Sequence, residues 1–216
     1  QGDSIRGVEI YPTSATQSND AFLVNSDVTI ENITLKDYYY NSGANTGYGF
    51  RFVNNFSTTI FEQEPGRSPY IRNVTVLTKG TTTSASDPRG FDSGDAGKGA
   101  LVDGQVVASN SRSASMLFHS CTFITPGVDG LTITNGVRVE WLNSFTYFAN
   151  RGIYMSQGSA GRTTPEATTV YGGELRTIAS ANVYGNKGIE ADGANCLAYM
   201  INQNFAYIGS GKNVTN

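Results

Sequence analysis

An all-β fold, a right-handed parallel β-helix (solenoid) with loop excursions, is what this sequence predicts, on three observations. Short runs of apolar–polar alternation recur along the chain, while no window sustains the i, i+3, i+4, i+7 apolar spacing of a helix. Gly, Asn, Asp or Pro bound most of those runs. A stretch of wording also returns: "YFANRGIYM" (147–155) comes back as "VYGNKGIEA" (183–191) and more faintly as "AYIGSGKNV" (206–214).

The strand runs come in order. "DVTIENITLKDYYY" alternates through Val28 and Ile30, then Ile33 and Leu35, and "YIRNVTVLTKG" does the same with Ile71, Val74 and Val76. "SMLFHSCTFI", "GLTITNGVRVEWL", "NSFTYF", "LRTIASANVYG" and "CLAYMINQNFAYIG" follow. The repeat is anchored on glycine: 130 to 152, 152 to 188 and 188 to 211 are steps of 22, 36 and 23 residues. The long middle step contains "SQGSAGRTTPEATTVYGG" (156–173), a loop-like insertion. Without it the period is close to 22 or 23 residues, which signals a stacked array. Strands without a helix in each repeat favour a parallel β-helix over a leucine-rich horseshoe.

Stacking assigns physical roles to the repeated letters. Phe148, Tyr184 and Tyr207 share a column, so their rings would lie one above the next. Asn150 and Asn186 share another and would bond up the ladder at the roughly 4.8 Å strand spacing. Gly152, Gly188 and Gly211 mark a turn position expected to need positive φ. Ile153 and Ile189 would enter the core. The column Asp129, Arg151, Lys187, Ser210 would carry a surface ion pair, worth under about 1 kcal/mol if exposed.

Composition bounds the rest. The chain has 216 residues, a size that suits one all-β domain spanning 1–216. Only 15% are charged, well under the roughly 25% of an ordinary soluble domain. This favours a β-rich extracellular protein over a cytosolic helical enzyme. A net charge of -3 and the lack of a basic cluster exclude nucleic acid as a partner. No apolar run approaches 18 residues, which excludes membrane insertion by a helix. The opening Gln1-Gly2 and the close "GKNVTN" read as a piece of a longer polypeptide. Cys121 and Cys196 lie in apolar surroundings and read as two free thiols or as one disulfide. Sequons begin at Asn32, Asn55, Asn73 and Asn213, as acceptors of glycan or as polar faces of strands.

Excursions from the array are expected at about 62–70, 80–104 and 156–173. Long excursions of this kind usually hold function or contacts to a neighbour. "DPRGFDSGDAGKGALVDG" (87–104) gathers Asp87, Arg89, Asp92, Asp95, Lys98 and Asp103, yet it fails the phosphate-loop pattern and matches no Ca²⁺ loop spacing. No metal site or cofactor is expected. Polysaccharide cleavage would need paired carboxylates. Asp92 with Asp95 is the candidate catalytic pair, and Asp129 with Glu140 a further combination. His119 reads as a half-buried strand residue sharing a period-2 face with Leu117, Cys121 and Phe123. Trp141 and Tyr154 are the candidate glycan platforms, with core packing the competing role for Trp141.

Three phrases, "NVTVLTKGTTTSASDPRGFDSGDAGKGALVDG", "SMLFHSCTFITPGVDGLTITNGVRVEWLNSFTYFANRGIY" and "NFAYIGSGK", resemble large virion structural proteins of T4-like phages of marine cyanobacteria. The similarity covers most of residues 28–212. It implies a β-helical module of a tail, baseplate or fibre appendage, hence a virion and extracellular location. The partners it implies are other virion subunits, a homotrimer, and host surface polysaccharide. It carries no catalytic residue across, so a non-enzymatic structural role is expected. A tailspike depolymerase (hydrolase or lyase) and a secreted bacterial β-helix adhesin are the alternatives.

Overall fold

The computed structural model describes residues 3–10, 19–24, 28–41, 43–53, 69–78, 96–103, 115–135, 137–156, 162–164, 167–171, 173–192 and 196–208. They form strands and no helix. In chain order these are β1 (Asp3–Ile10), β2 (Phe22–Val24), β3 (Val28–Lys36), β4 (Tyr48–Val53), β5 (Tyr70–Leu77), β6 (Lys98–Asp103), β7 (Ser115–His119), β8 (Thr122–Ile124), β9 (Asp129–Thr134) and β10 (Arg138–Leu142). β11 (Phe145–Tyr147), β12 (Arg151–Ser156), β13 (Arg162–Thr164), β14 (Ala167–Tyr171), β15 (Glu174–Ile178), β16 (Ala181–Val183), β17 (Lys187–Asp192), β18 (Leu197–Ile201) and β19 (Asn204–Ala206) complete the set.

Apart from the antiparallel β13–β14 hairpin, every strand pair is parallel. Two sheets result, and the chain visits them in turn. Sheet A runs β1–β3–β5 and continues along two flanks, β7–β10–β15–β18 and β8–β11–β16–β19. Sheet B runs β2–β4–β6–β9–β12–β17. Each return lays a strand beside the one from the previous visit.

The two flanks of sheet A meet at a corner. β3 and β5 cross it as single long strands, whereas later passes break into two strands separated by a short corner. The corner residues are Asn32, Asn73, Ser120, Asn143, Ala179 and Asn202, all with φ between 45° and 58°. Asn tolerates this left-handed region better than most residues, which suits four of the six positions. The side chains also bond up the stack: Asn73 Nδ2 donates to Asn32 Oδ1 at 2.6 Å, and Asn143 Nδ2 to Ser120 Oγ at 3.1 Å. Asn32 and Asn73, which open two sequons, therefore occupy an exposed corner and not a flat strand face.

Each corner shifts the alternation by one residue. Ile30 and Ile33, three apart, are both buried, as are Ile71 and Val74. The single period-2 face expected for Leu117, His119, Cys121 and Phe123 is thereby corrected. Ser120 splits it, leaving Leu117 and His119 partly exposed while Phe118, Cys121 and Phe123 are fully buried.

A second corner follows five residues after the first. Asp37, Phe148, Tyr184 and Tyr207 hold φ between 53° and 59° there. Aromatic residues have no intrinsic reason to adopt that conformation, which costs roughly 1–2 kcal/mol each. Ring stacking offsets it: Phe148 and Tyr184 lie 5.6 Å apart at 13°, and Tyr184 and Tyr207 4.7 Å apart at 7°. Beside them Asn186 Nδ2 donates to Asn150 Oδ1 at 3.0 Å.

The positive φ expected at Gly152 and Gly188 is not found there; it belongs to the aromatic corner. Glycine is required at those positions for close backbone approach. A Cβ on Gly130 would lie 2.6 Å from the Gly152 carbonyl oxygen, and one on Gly152 would lie 2.6 Å from that of Gly188. Gly211 lies outside the described residues.

The core lies between the sheets. Ile30, Ile71, Phe118 and Trp141 form one inward column in register, faced from sheet B by Phe50, Phe52, Val102, Leu131, Ile133, Ile153 and Met155. Toward the C-terminal side the inward columns turn polar. Ser144 and Ser180 follow Cys121, and Thr146 and Asn182 follow Phe123. These groups bond locally, as buried polar groups must: Ser180 Oγ donates to the Trp141 carbonyl at 3.0 Å and Asn182 Nδ2 to Thr146 Oγ1 at 2.5 Å.

The expected excursions need adjustment. The excursion expected over 80–104 is shorter at its end, because Lys98–Asp103 is β6, inside sheet B. Its glycines mimic a loop composition, yet Gly99 is demanded by the glycine column. The 156–173 insertion contains the β13–β14 hairpin. Residues 62–68, 80–95 and 104 of the other two excursions lie outside the described residues.

Cys121 and Cys196 are unpaired. Burial pushes the Cys121 thiol up to about 12, against weaker lowering by hydrogen bonds from Val74, His119 and Ser144. Cys196 is only partly buried, and burial raises its pKa to a lesser degree. Ellman's reagent at pH 8 is therefore expected to titrate one thiol in the folded protein and both in denaturant. Cys196→Ser should abolish the fast phase. Between about pH 9 and 12 the unfolded chain ionises Cys121 while the folded one does not, so stability falls as pH rises through that window.

Candidate functional site

The richest convergence of polar and aromatic groups among the described residues lies on the outer face of sheet B. It follows from strand geometry. Each sheet-B strand except β2 opens on a polar residue followed by glycine: Tyr48-Gly49, Lys98-Gly99, Asp129-Gly130, Arg151-Gly152 and Lys187-Gly188. Register places these first residues in one column. Arg51, Leu101, Thr132, Tyr154 and Glu190 form a second outward column three residues on. Five strands at about 4.8 Å spacing make a strip roughly 19 Å long.

Contacts run along the strip without a break. The Asp20 carboxylate accepts from the Gly47 and Tyr48 amides, each at 2.9 Å, and from Arg51 Nε at 2.5 Å. Arg51 also donates to the Asn45 carbonyl. Lys98 Nζ sits 4.0 Å over the Tyr40 ring and 3.3 Å from Asp129 Oδ2. Asp129, only 4% exposed, takes a two-pronged bond from Arg151, Nε to Oδ1 at 2.6 Å and Nη2 to Oδ2 at 2.7 Å. It is a buried carboxylate held by two cations, not the exposed pair expected from the column. The Arg151 guanidinium lies 3.5 Å over the Tyr154 ring and 3.7 Å from Glu190, which Lys187 also meets.

Tyrosine chemistry follows from that crowding. Burial first, and the neighbouring Tyr40 second, push the Tyr48 phenol well above its ordinary range. Tyr154 is raised by burial and by donating to Asp192 Oδ2 at 2.9 Å. Both hydroxyls stay protonated donors at neutral pH, so neither supplies a base or a nucleophile.

The sequence candidates separate. Tyr154 is on the strip and partly exposed. Trp141 is 0% exposed, packed between Phe118 and Phe123, so it is a core residue and offers no sugar platform. Asp129 and Glu140 belong to different sheets, and Glu140 is engaged by Arg138 at 3.2 Å, so they form no pair. Asp92 and Asp95 lie outside the described residues. His119 Nδ1 and the Tyr70 hydroxyl share a 2.9 Å hydrogen bond on the outer face of sheet A, apart from the strip. No group of three or more metal-ligating side chains occurs among the described residues, and no helix there could cross a membrane.

Asp20, Tyr48 and Arg51 are strip residues that sequence reasoning missed, whereas Tyr40 belongs to the tyrosine run 38–40 that the sequence offers for glycan contact. The polar-Gly-apolar-x-apolar pattern, present at Tyr48–Phe52 and Lys98–Val102 as well as further on, was the available signal. Chemically, the strip has charges that are cross-paired along its length and rings partly capped by cations. It holds strands in register and leaves Arg51, Arg151 and Tyr154 partly exposed along its outer side. No family model, curated protein or solved structure matches the chain.

Proposed function

We propose that the chain is a right-handed parallel β-helix serving as a stiff, non-enzymatic module of a phage tail, baseplate or fibre appendage, with host surface glycan contacting the outer strip of sheet B. The observation that carries this reading is the order of pairing. Alternate visits to two sheets, each parallel and in register with the last, are what a coil of stacked rungs produces. Parallel crossovers are right-handed in nearly all proteins, which supplies the hand. Stacked rungs with stacked corners resist bending and proteolysis. The phrase-level resemblance to marine-phage virion proteins supports the location. The strip supports a binding role over a cleaving one, because its carboxylates face cations and not a space for substrate and water.

The test is to incubate the protein with host-envelope polysaccharide, following reducing ends and unsaturated uronates, and to locate it in purified particles by immunogold labelling. No release, with label on the tail or baseplate, is expected. Release that Asp92→Asn or Asp95→Asn abolishes would replace this reading with a depolymerase. Label absent from particles would remove the virion assignment.

A further inference from the structure

Building on the glycan contact proposed above, we infer that the outer strip of sheet B takes an acidic polysaccharide, one whose residues carry carboxylate or sulfate groups.

The charges are laid out strand by strand. β4 contributes Arg51, β6 Lys98, β12 Arg151 and β17 Lys187, so four of the five strands of the strip place a cation on its outer side. β9 contributes a carboxylate instead, Asp129, which lies almost fully buried between Lys98 and Arg151. In three ion pairs the cation is the more exposed partner: Lys98 16% against Asp129 5%, Arg151 25% against Asp129 5%, and Lys187 49% against Glu190 26%. Asp20 and Glu190 are exposed about as much as their arginine partners. Four cations thus stand against three carboxylates, on a chain whose net charge is -3. The outward charge of the strip is opposite in sign to that of the chain.

Other carboxylates on this face do not reverse it. Asp103 and Asp192 stand five residues along β6 and β17 from Lys98 and Lys187, about 16 Å away by strand rise. That exceeds the Debye length of about 10 Å at 0.1 M salt.

Spacing favours a polymer over a small anion. Arg151 and Lys187 are on adjacent strands, about 4.8 Å apart, and Lys98 is two strands before Arg151. A chain with a charge on each residue, lying across the strands, meets these cations in succession, whereas a single anion meets one. Uncharged sugar gains less here. The ring faces of Tyr40 and Tyr154 that Lys98 and Arg151 cover are closed to stacking.

The test measures binding of the protein to alginate, dextran sulfate and uncharged dextran by titration calorimetry. At least one acidic polymer is expected to bind, alginate where carboxylate is the group recognised and dextran sulfate where sulfate is. Dextran should bind at least about tenfold more weakly than that polymer. Raising salt should weaken the acidic complex, because its charges are exposed. Lys187→Glu should weaken it about tenfold or more. Arg176→Glu makes the same charge change on the outer face of sheet A and should leave it within about twofold. Both positions are half-exposed, and circular dichroism matching wild type separates lost binding from lost folding. Dextran bound as tightly as the acidic polymers, with Tyr154→Ala weakening all of them, would overturn the acidic ligand and leave the glycan contact standing. Equal losses in Lys187→Glu and Arg176→Glu would reduce the effect to overall charge and overturn the strip as its site. Binding of none of the three polymers would also overturn the inference, and the glycan contact falls with it only if host-envelope polysaccharide is not bound either.

Discussion

Gly99→Ala is expected to lower stability by at least about 3 kcal/mol, at the upper end of the range for overpacking, with melting roughly 6–12 °C below wild type. A Cβ there would lie 2.1 Å from the Gly130 carbonyl oxygen and 2.5 Å from Phe123 Cδ2. The ring could tilt, but the oxygen belongs to the backbone of the next strand and moves only if β6 and β9 part. Parting them would lengthen the ladder from Ala100↔Leu131 to Asp103↔Thr134 and disturb the Lys98–Asp129 contact above it. The residue's own φ is unexceptional, so alanine meets no dihedral penalty and the whole effect is steric. Gly43→Ala is the control: its Cβ would meet nothing nearer than the Asn41 Oδ1 at 3.4 Å. Thermal denaturation of both variants decides the matter, and a Gly99→Ala protein melting with wild type would refute close stacking at this column.

The glycine column also shows what the sequence made legible. Its last positions stood out because "NRGIYM" and "NKGIEA" share their flanking words. Gly49 and Gly99 did not, because their flanks are Tyr48-Phe50 and Lys98-Ala100 and the intervening segments differ in length. A column constrains one residue per strand, and what connects the strands is free to vary. Ile30 to Ile33 and Ile71 to Val74 each break a period of 2, and a break of one residue is the mark of a left-handed corner at Asn32 or Asn73. Propensity points to glycine for positive φ, whereas the fold places it on Phe148, Tyr184 and Tyr207, where neighbouring rings supply the compensation. Tertiary context decides such positions, and a single window of sequence does not contain it. The outer strip was legible only in part for the same reason. Asp20 and Tyr40 reach it from segments outside the sheet-B strands, which no strand period could announce.

Trp141→Ala is expected to cost about 3–5 kcal/mol, the range for emptying a large aromatic from a core, and to leave glycan binding per folded molecule unchanged. The indole lies 5.3 Å from Phe118 and 5.0 Å from Phe123, with Ile71 and Thr177 further along its column. Its removal takes the centre out of that cluster, and the backbone around it is held by strands on both sides, β7 and β15, so collapse into the space is limited. Trp141→Phe should cost much less, roughly 1.5 kcal/mol or under, as a volume-reducing but apolar exchange. The indole Nε1–H has no hydrogen-bond partner in the core, so phenylalanine forfeits no bond and relieves an unpaired donor. Trp141 is the single tryptophan, which allows a direct check: emission at short wavelength and weak quenching by iodide in the folded protein. Red-shifted, readily quenched emission that moves on adding polysaccharide would place the ring at the surface and restore it as a sugar platform. The ordering of the variants, alanine far below phenylalanine and phenylalanine close to wild type, distinguishes a packed ring from a binding one, since a platform would lose affinity in both and stability in neither.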